Sequence, residues 1–293
     1  ALLREGLLRD TVERAGSAGC RRASSAAAMA ACNLALIMPC VSGRSAGPCV
    51  SFETACSASL VACHTACREI KYGECDEAMS AGVNMTLLPS ANVALAVAGM
   101  SSGRGACHTF DARADGYARG EGCGAIALSR RRGQRPEAPG LLGSAVRQDG
   151  RSASLTAPNG QAQQGLLVAA HADAATPPSA LGRSEAHGTG TALGDPIEVG
   201  ALAAAVLEPR REAASAVEPL AVGGVKANLG HGESTAGMTG LLALALGLAA
   251  GVAPPNAQLR ALNAHVGGAL RRSASGIGAA VLPTQAVEAS ERL

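Results

Sequence analysis

This chain has almost nothing large and flat from which to build an interior. It contains no Trp, and its 293 residues include two Tyr and two Phe against 37 Gly. Hydrophobic residues still make up 47%, so the core must be assembled from Ala, Leu and Val. Small side chains fill space only where backbones approach closely, which suits helices laid tightly on sheets. The length fits one large domain or two smaller halves, with enough core to need no disulfide or metal staples. Charged residues at 16% exclude a disordered or highly charged chain. A formal net charge of +2 and the scarcity of aromatic rings argue against nucleic acid as a partner: there is neither a basic surface nor a stacking platform.

Along the chain, strand patterns alternate with helix patterns. Pro48 to Thr54 reads as a short strand, Cys56 to Tyr72 as a helix and Asp76 to Asn84 as a strand. A helix from about Ser90 and a strand at Gly122 to Ser129 follow. A polar break at Arg130 to Gly140 then interrupts the apolar sequence with Arg130, Arg131, Arg132, Arg135, Pro136 and Pro139. It divides the chain into a first half, 1–130, a connection, 131–140, and a second half, 141–293. The second half reads as a strand near Leu141 to Val146, a helix over Gln161 to Ala175 and a helix over Pro196 to Leu207. A strand at Leu220 to Val225 and an apolar helix from Ser234 complete it. The alternation predicts an α/β fold with crossover connections.

All of the cysteines lie at or before Cys123, and none form a C-x-x-C pair, so zinc knuckles and redox dithiols lack their local signature. Cys63, His64 and Cys67 fall on a predicted helix without a second ligand pair, and no metal site is expected. Most of the thiols read as small buried hydrophobes in a reducing, cytoplasmic setting. The segment from Ala1 to Gly19 carries Glu5, Asp10 and Glu13 and does not read as a secretory signal. Ser234 to Leu259 is uncharged and long enough for a membrane span. It is interrupted by Gly237, Gly240, Gly247 and Gly251, ends at Pro254 and Pro255, and has no basic flank or aromatic belt. A buried core helix is the expectation, with no membrane span.

Three segments carry candidate chemistry. Cys56, in Thr54-Ala55-Cys56-Ser57, sits where strand pattern gives way to helix, and unpaired N–H groups at a helix start favour a thiolate. On these residues alone, a packing cysteine at a strand-to-helix turn is an equally good reading. In Glu185-Ala186-His187-Gly188-Thr189-Gly190-Thr191, glycines let a ligand approach the backbone beside His187, while Thr189 and Thr191 offer hydroxyls. In Lys226-Ala227-Asn228-Leu229-Gly230-His231, the lysine is one of two, with Lys71, in a chain that otherwise uses Arg. His231 lies near the start of the apolar helix, whose positive end favours a neutral ring. His64, His108, His171 and His265 have no comparable setting and read as surface or satisfied residues.

Taken together, the Cys in T-A-C-S, the His in E-A-H-G-T-G-T and the Lys and His in K-x-N-x-G-H resemble a β-ketoacyl synthase, most of all the ketosynthase domains of modular polyketide synthases. Phe110-Asp111-Ala112, Asp115-Gly116-Tyr117, Gln148-Asp149-Gly150-Arg151, Thr156-Ala157-Pro158-Asn159-Gly160 and Pro254-Pro255-Asn256 match as well. The resemblance runs from about Gly47 to Asn263. It implies a thiolase-like fold, in which two similar αβ halves form αβαβα layers, with the first half shortened. Asn33 to Gly47 departs from the family pattern. The family's late G-F-G-G-T-N-A-H loop has only Ser275-Gly276-Ile277-Gly278-Ala279 as a counterpart.

By that resemblance, Cys56 accepts an acyl group from an acyl-carrier-protein thioester. His187 and His231 hold the enolate formed as malonyl-carrier protein loses carbon dioxide, and the carbanion attacks the acyl-Cys. Lys226 supports His187 and the local electrostatics. Thr189 and Thr191 hold the phosphopantetheine arm, which the carrier protein supplies, so no cofactor is bound by this chain itself. The Cys56 N–H forms half of an oxyanion hole. The resemblance also implies a homodimer paired along the strand before Cys56. The chain would thus be an acyltransferase of polyketide or fatty-acid synthesis. The other reading is a non-catalytic ketosynthase-like fragment that binds a carrier protein or partner subunit.

Overall fold

The computed structural model describes residues 34–39, 49–130, 139–152, 157–213, 218–273, 280–284 and 287–288. Ala1 to Gly19, most of the connection after Arg130, and Ser275 to Ala279 lie outside the described residues. Strands β1 (Leu34–Pro39), β2 (Val50–Phe52), β3 (Glu77–Asn84) and β4 (Gly122–Ser129) form one sheet in the order β2-β1-β3-β4. Every neighbouring pair is antiparallel; Ala35, for instance, lies between Phe52 and Gly82. β2 and β3 therefore run the same way, as the helix joining them requires, with β1 inserted between them. β1 falls in the stretch that matched no pattern. It is a short apolar run closed by a proline, which periodicity alone does not distinguish from helix.

A second sheet holds β5 (Arg183–Glu185), β6 (Leu220–Gly223) and β8 (Ala280–Val281), all parallel, in the order β5-β6-β8. β7 (Val252–Ala253) and β9 (Val287–Glu288) pair separately and antiparallel. The helices are α1 (Ala58–Tyr72), α2 (Pro89–Val97), α3 (Gly160–Asp173) and α4 (Gly194–Leu202), which continues through a π-turn at Ala203–Leu207 into α5 (Glu208–Glu212). α6 (Lys226–Leu229), α7 (Ala236–Ala250) and α8 (Ala264–Ser273) follow.

The small-residue interior expected from composition is visible on α1. Ala58, Ala62 and Ala66 recur every four residues, are fully buried, and with Ile70 lay one helical stripe on the first sheet against Ala78. Behind that stripe, Cys63 packs with Met238 and Leu241 of α7, and α7 also contacts β4 and β5. The order is sheet, helix pair, sheet, and beyond the second sheet an outer helical layer. There Val199, Leu202, Val206 and Leu207 meet Leu220 and Val222, with Phe110 and Val266 completing the largest cluster.

Several expectations need correction. Leu141 to Val146 is not a strand: the Ser144 N–H is taken by the Asp173 carboxylate and its carbonyl by Arg68, so no ladder forms. Of the described cysteines, Cys63 and Cys107 are buried, whereas Cys49 and Cys123 are exposed and the rest half-buried. His108, read as a surface or satisfied residue, is buried, and its Nδ1 has no hydrogen-bond partner among the described residues. The segment Glu233–Ala250 is long and apolar enough to cross a membrane by length and composition. Here Met238 and Leu241 of α7 are buried and Leu246 is exposed, so the helix is half-covered rather than enclosed.

Candidate active site

Cys56 lies in a single 3-10 turn, Ala55–Ser57, between β2 and the first residue of α1. Ala55 holds a left-handed backbone at φ 51°, which swings the chain sharply from strand to helix and turns the half-buried Cys56 toward the second half. The Ser57 hydroxyl closes the turn on the Thr54 carbonyl at 2.9 Å. The stabilised thiolate expected from the helix start is not what burial permits. Desolvation raises the Cys56 pKa, and the Lys226 charge and the backbone N–H lower it only in part.

His187 follows β5 on a loop whose shape depends on two carboxylates of α4. Glu198 accepts the N–H groups of His187 and of Gly188, the latter at 2.8 Å. Asp195 accepts Gly190 N–H at 3.1 Å and Phe110 N–H at 2.7 Å. Gly188 and Gly190 have φ of 49° and 77°, and a Cβ on Gly190 would stand 2.6 Å from the His108 nitrogen. The loop thus lies on the buried floor Cys107–Asp111 as closely as backbone allows. His187 itself is exposed at the mouth of the site, although protein crowds its ring. That crowding strips water from the ring and, followed by the Lys226 charge, holds its pKa down to about 3.

Lys226 opens α6 directly after β6 and is 5% exposed. Burial lowers its pKa, while Glu198 and Glu185 draw it back up. The Glu185 carboxylate accepts the Val225 N–H, so it also fixes the approach of the chain to Lys226. His231 is held by its main chain: its N–H donates to the Ala118 carbonyl at 2.7 Å and its carbonyl accepts from Gly120 at 2.8 Å. Its ring packs on Tyr117, with centroids 4.7 Å apart, and burial followed by Lys226 lowers its pKa to about 3.

The fold brings Cys56, His187 and His231 together. Cys56 Sγ is 3.9 Å from His187 Nε2, and the donor atoms of all three lie within 4.8 Å of one another. The two imidazoles meet edge to face. Such a donor set could hold a metal, but the hydrogen bond at His231 has the wrong polarity for it. Its Nδ1 accepts the Glu233 N–H at 2.8 Å, so in the neutral ring the proton sits on Nε2. A metal-bound histidine instead donates its second nitrogen outward, and the neighbouring Lys226 charge repels a cation. What the arrangement offers is a nucleophilic thiol facing an N–H donor.

Two family models match the chain: the β-ketoacyl synthase N-terminal domain over residues 7–133 and its C-terminal domain over 140–260. The chain belongs to the β-ketoacyl synthase family. One of the phenolphthiocerol/phthiocerol polyketide synthase subunits of Mycobacterium tuberculosis is 45% identical over 225 residues, which are 75% of this chain and 12% of that protein. Highly reducing polyketide synthase 40 of Fusarium mangiferae is 44% identical over 72% of this chain and 8% of its own length. Among solved structures, an oxazolomycin ketosynthase domain from Streptomyces albus superposes with a TM-score of 0.73 at 33% identity, over 83% of this chain and 42% of that one. The module 6 ketosynthase of the bacillaene synthase from Bacillus subtilis gives 0.71 at 30%, over 81% and 41%. The fold is accordingly thiolase-like, and the chain spans less than half of the ketosynthases it superposes on.

Within this β-ketoacyl synthase framework, Thr189 and Thr191 lie side by side, hydroxyl oxygens 3.4 Å apart, and Thr191 also accepts the Gly194 N–H. One hydroxyl proton of the pair is left for a ligand. Sequence reasoning gave no role to Asp195, Glu198, Tyr117, Arg119 or Glu233. For the α4 pair a signal existed: Asp195 and Glu198 are spaced i, i+3 at a helix start, so both carboxylates share the face turned toward the His187 loop.

Proposed function

We propose that this chain catalyses decarboxylative Claisen condensation between an acyl-Cys56 and a malonyl thioester in polyketide synthesis, both delivered by acyl carrier protein. The observation that carries this reading is the convergence of Cys56 Sγ with two neutral imidazoles, one of them held as an Nε2–H donor. In the first half-reaction Sγ attacks the incoming thioester and the pantetheine thiol departs. The Sγ proton passes through His187 Nε2 to the leaving sulfur. No described contact fixes His187 at Nδ1, so its ring can then present Nε2–H. In the second, the malonyl C–C bond breaks, carbon dioxide leaves, and its electrons form an enolate whose oxygen receives N–H bonds from His187 and His231. The enolate carbon attacks the acyl carbonyl beside the Cys56 N–H, and the collapsing intermediate expels the thiolate. Lys226 adds positive charge where negative charge develops, and Thr189 and Thr191 hold the carrier's phosphopantetheine arm.

Among the described residues β2 is the outer strand of its sheet, and such an edge favours pairing with a second copy, which supports a homodimer. The free thiols of the described cysteines support a reducing, cytoplasmic setting. The deciding experiment is intact-mass spectrometry after incubation with an acyl-pantetheine thioester, beside Cys56→Ala. One acyl adduct, absent in the variant, is the expected result. Folded protein that takes up no acyl group would overturn the catalytic reading and leave carrier-protein binding.

A further inference from the structure

Glu233 lies two residues after His231 and holds a backbone conformation that side-chain-bearing residues avoid, at φ 42°. The N–H that reaches His231 Nδ1 at 2.8 Å lies in the Gly232–Glu233 peptide plane, and with the chain held on both sides a turn of that plane changes the N–H direction and the Glu233 φ together. A glutamate has no intrinsic preference for the left-handed region, so the surrounding structure must impose it. The Glu233 side chain shows how. Both of its carboxylate oxygens accept N–H groups of Arg119, Nε on one and a terminal nitrogen at 3.0 Å on the other. The two side chains are 9% and 14% exposed, so solvent screens the pair little. The remaining arm of the guanidinium donates to Asn92 Oδ1 on α2, which fixes the fork in orientation. The Arg119 main chain is secured independently, since the flanking Ala118 and Gly120 bond the His231 backbone. Replacing the side chain alone therefore leaves the main-chain frame of His231 in place.

We propose that Arg119 is a positioning residue: its two-pronged grip on Glu233 keeps the Glu233 N–H on His231 Nδ1 and thereby holds His231 as the Nε2–H donor. This rests on the condensation reading above, yet the state of the ring can be read without any turnover. When the grip is lost, the Gly232–Glu233 peptide plane turns, which takes Glu233 to negative φ and its N–H off Nδ1, and both ring nitrogens compete for the one proton.

The test uses the whole chain with nitrogen-15 histidine, the His231 signals being assigned by their loss in His231→Gln. In the parent protein, long-range proton–nitrogen correlations are expected to show a neutral Nε2–H ring from about pH 5 to 8. In Arg119→Gln they are expected to show a mixture of tautomers. Malonyl-thioester decarboxylation should then fall about tenfold or more in kcat, with KM little changed and Cys56 acylation retained, since a wrong tautomer disables a donor without removing it. Glycine takes positive φ without help. Adding Glu233→Gly to Arg119→Gln should therefore bring the Nε2–H pattern back toward the parent, a rescue that a merely structural arginine would not give. If Arg119→Gln does not fold, Glu233→Gln, which gives up one of the two acceptor oxygens, is read in the same spectra and should show the mixture. An unchanged His231 pattern in the folded variant, or a mixture that Glu233→Gly leaves untouched, would overturn the proposal. If Cys56 takes no acyl group in the parent protein, the condensation reading falls, while the spectra still decide what Arg119 does.

Discussion

Burial acts on Cys56 and on the two histidines in opposite directions and leaves all three uncharged. It raises the thiol pKa and lowers both imidazoles to about 3. Across neutral pH neither ring should take up a proton. Carbon or nitrogen shifts of His187 and His231 are expected to stay flat from about pH 5 to 8, where ordinary histidines titrate; a midpoint near 6.5 for either would contradict that burial. Glu198 offers a second test at this scale. Both of its oxygens accept backbone N–H groups of the His187 loop, and Glu198→Gln turns a donor toward one of them. A buried unsatisfied donor costs roughly 1–3 kcal/mol, so urea unfolding should show the variant destabilised by about that amount.

The elements readable from sequence were those with length and clear borders. α1 ends where Gly73 adopts φ 86° to close the helix, and α3 begins where the Asn159 side chain accepts the N–H groups of Gln161 and Ala162. β5 escaped because its three residues include Arg183 and Glu185, which bury their charges against each other, the arginine also donating to the carbonyls of Ala243 and Val252. The candidate-site motifs were legible because each carries its chemistry in adjacent residues. Of their supports, Asp195 and Glu198 left only the trace of their i, i+3 spacing, and Arg119 left none, because each reaches its partner only in the folded chain. Tight packing at this level gives two further expectations. Gly190→Ala would force a Cβ against the His108 nitrogen at a left-handed position. The backbone alone costs about 1–2 kcal/mol, and Cys56 acylation should survive better than condensation. Ala62→Leu, at a site with no free space on the α1 stripe, should cost about 1–3 kcal/mol by overpacking, visible as a lower urea midpoint.

For the molecule as a whole, the depressed histidines tie stability to pH. A group whose folded pKa lies below its unfolded value contributes stability that is present above the unfolded pKa, near 6.5 for histidine, and lost as pH falls toward the folded value. Here that window runs from about 6.5 down to about 3 for both rings. Asp195, raised by burial to about 6, works the other way: its contribution is present below the unfolded carboxyl value and is lost as pH rises through 6. Replacing one histidine by Gln should therefore flatten the acid-side fall of unfolding free energy by about one proton, measured by urea titrations at a series of pH values.

The position of β1 between β2 and β3 bears on how such a chain is made. The topology lets the described strands join the sheet in the order in which synthesis releases them: β1, then β2 on one side, β3 across α1 on the other, and β4. No strand has to force its way into a gap already closed. The sulfur is in place early, whereas its nearest imidazole lies 131 residues downstream. A nascent chain thus releases Cys56 well before His187, the group we propose as its proton acceptor, and is expected to hold the thiol without that partner until the second sheet has formed.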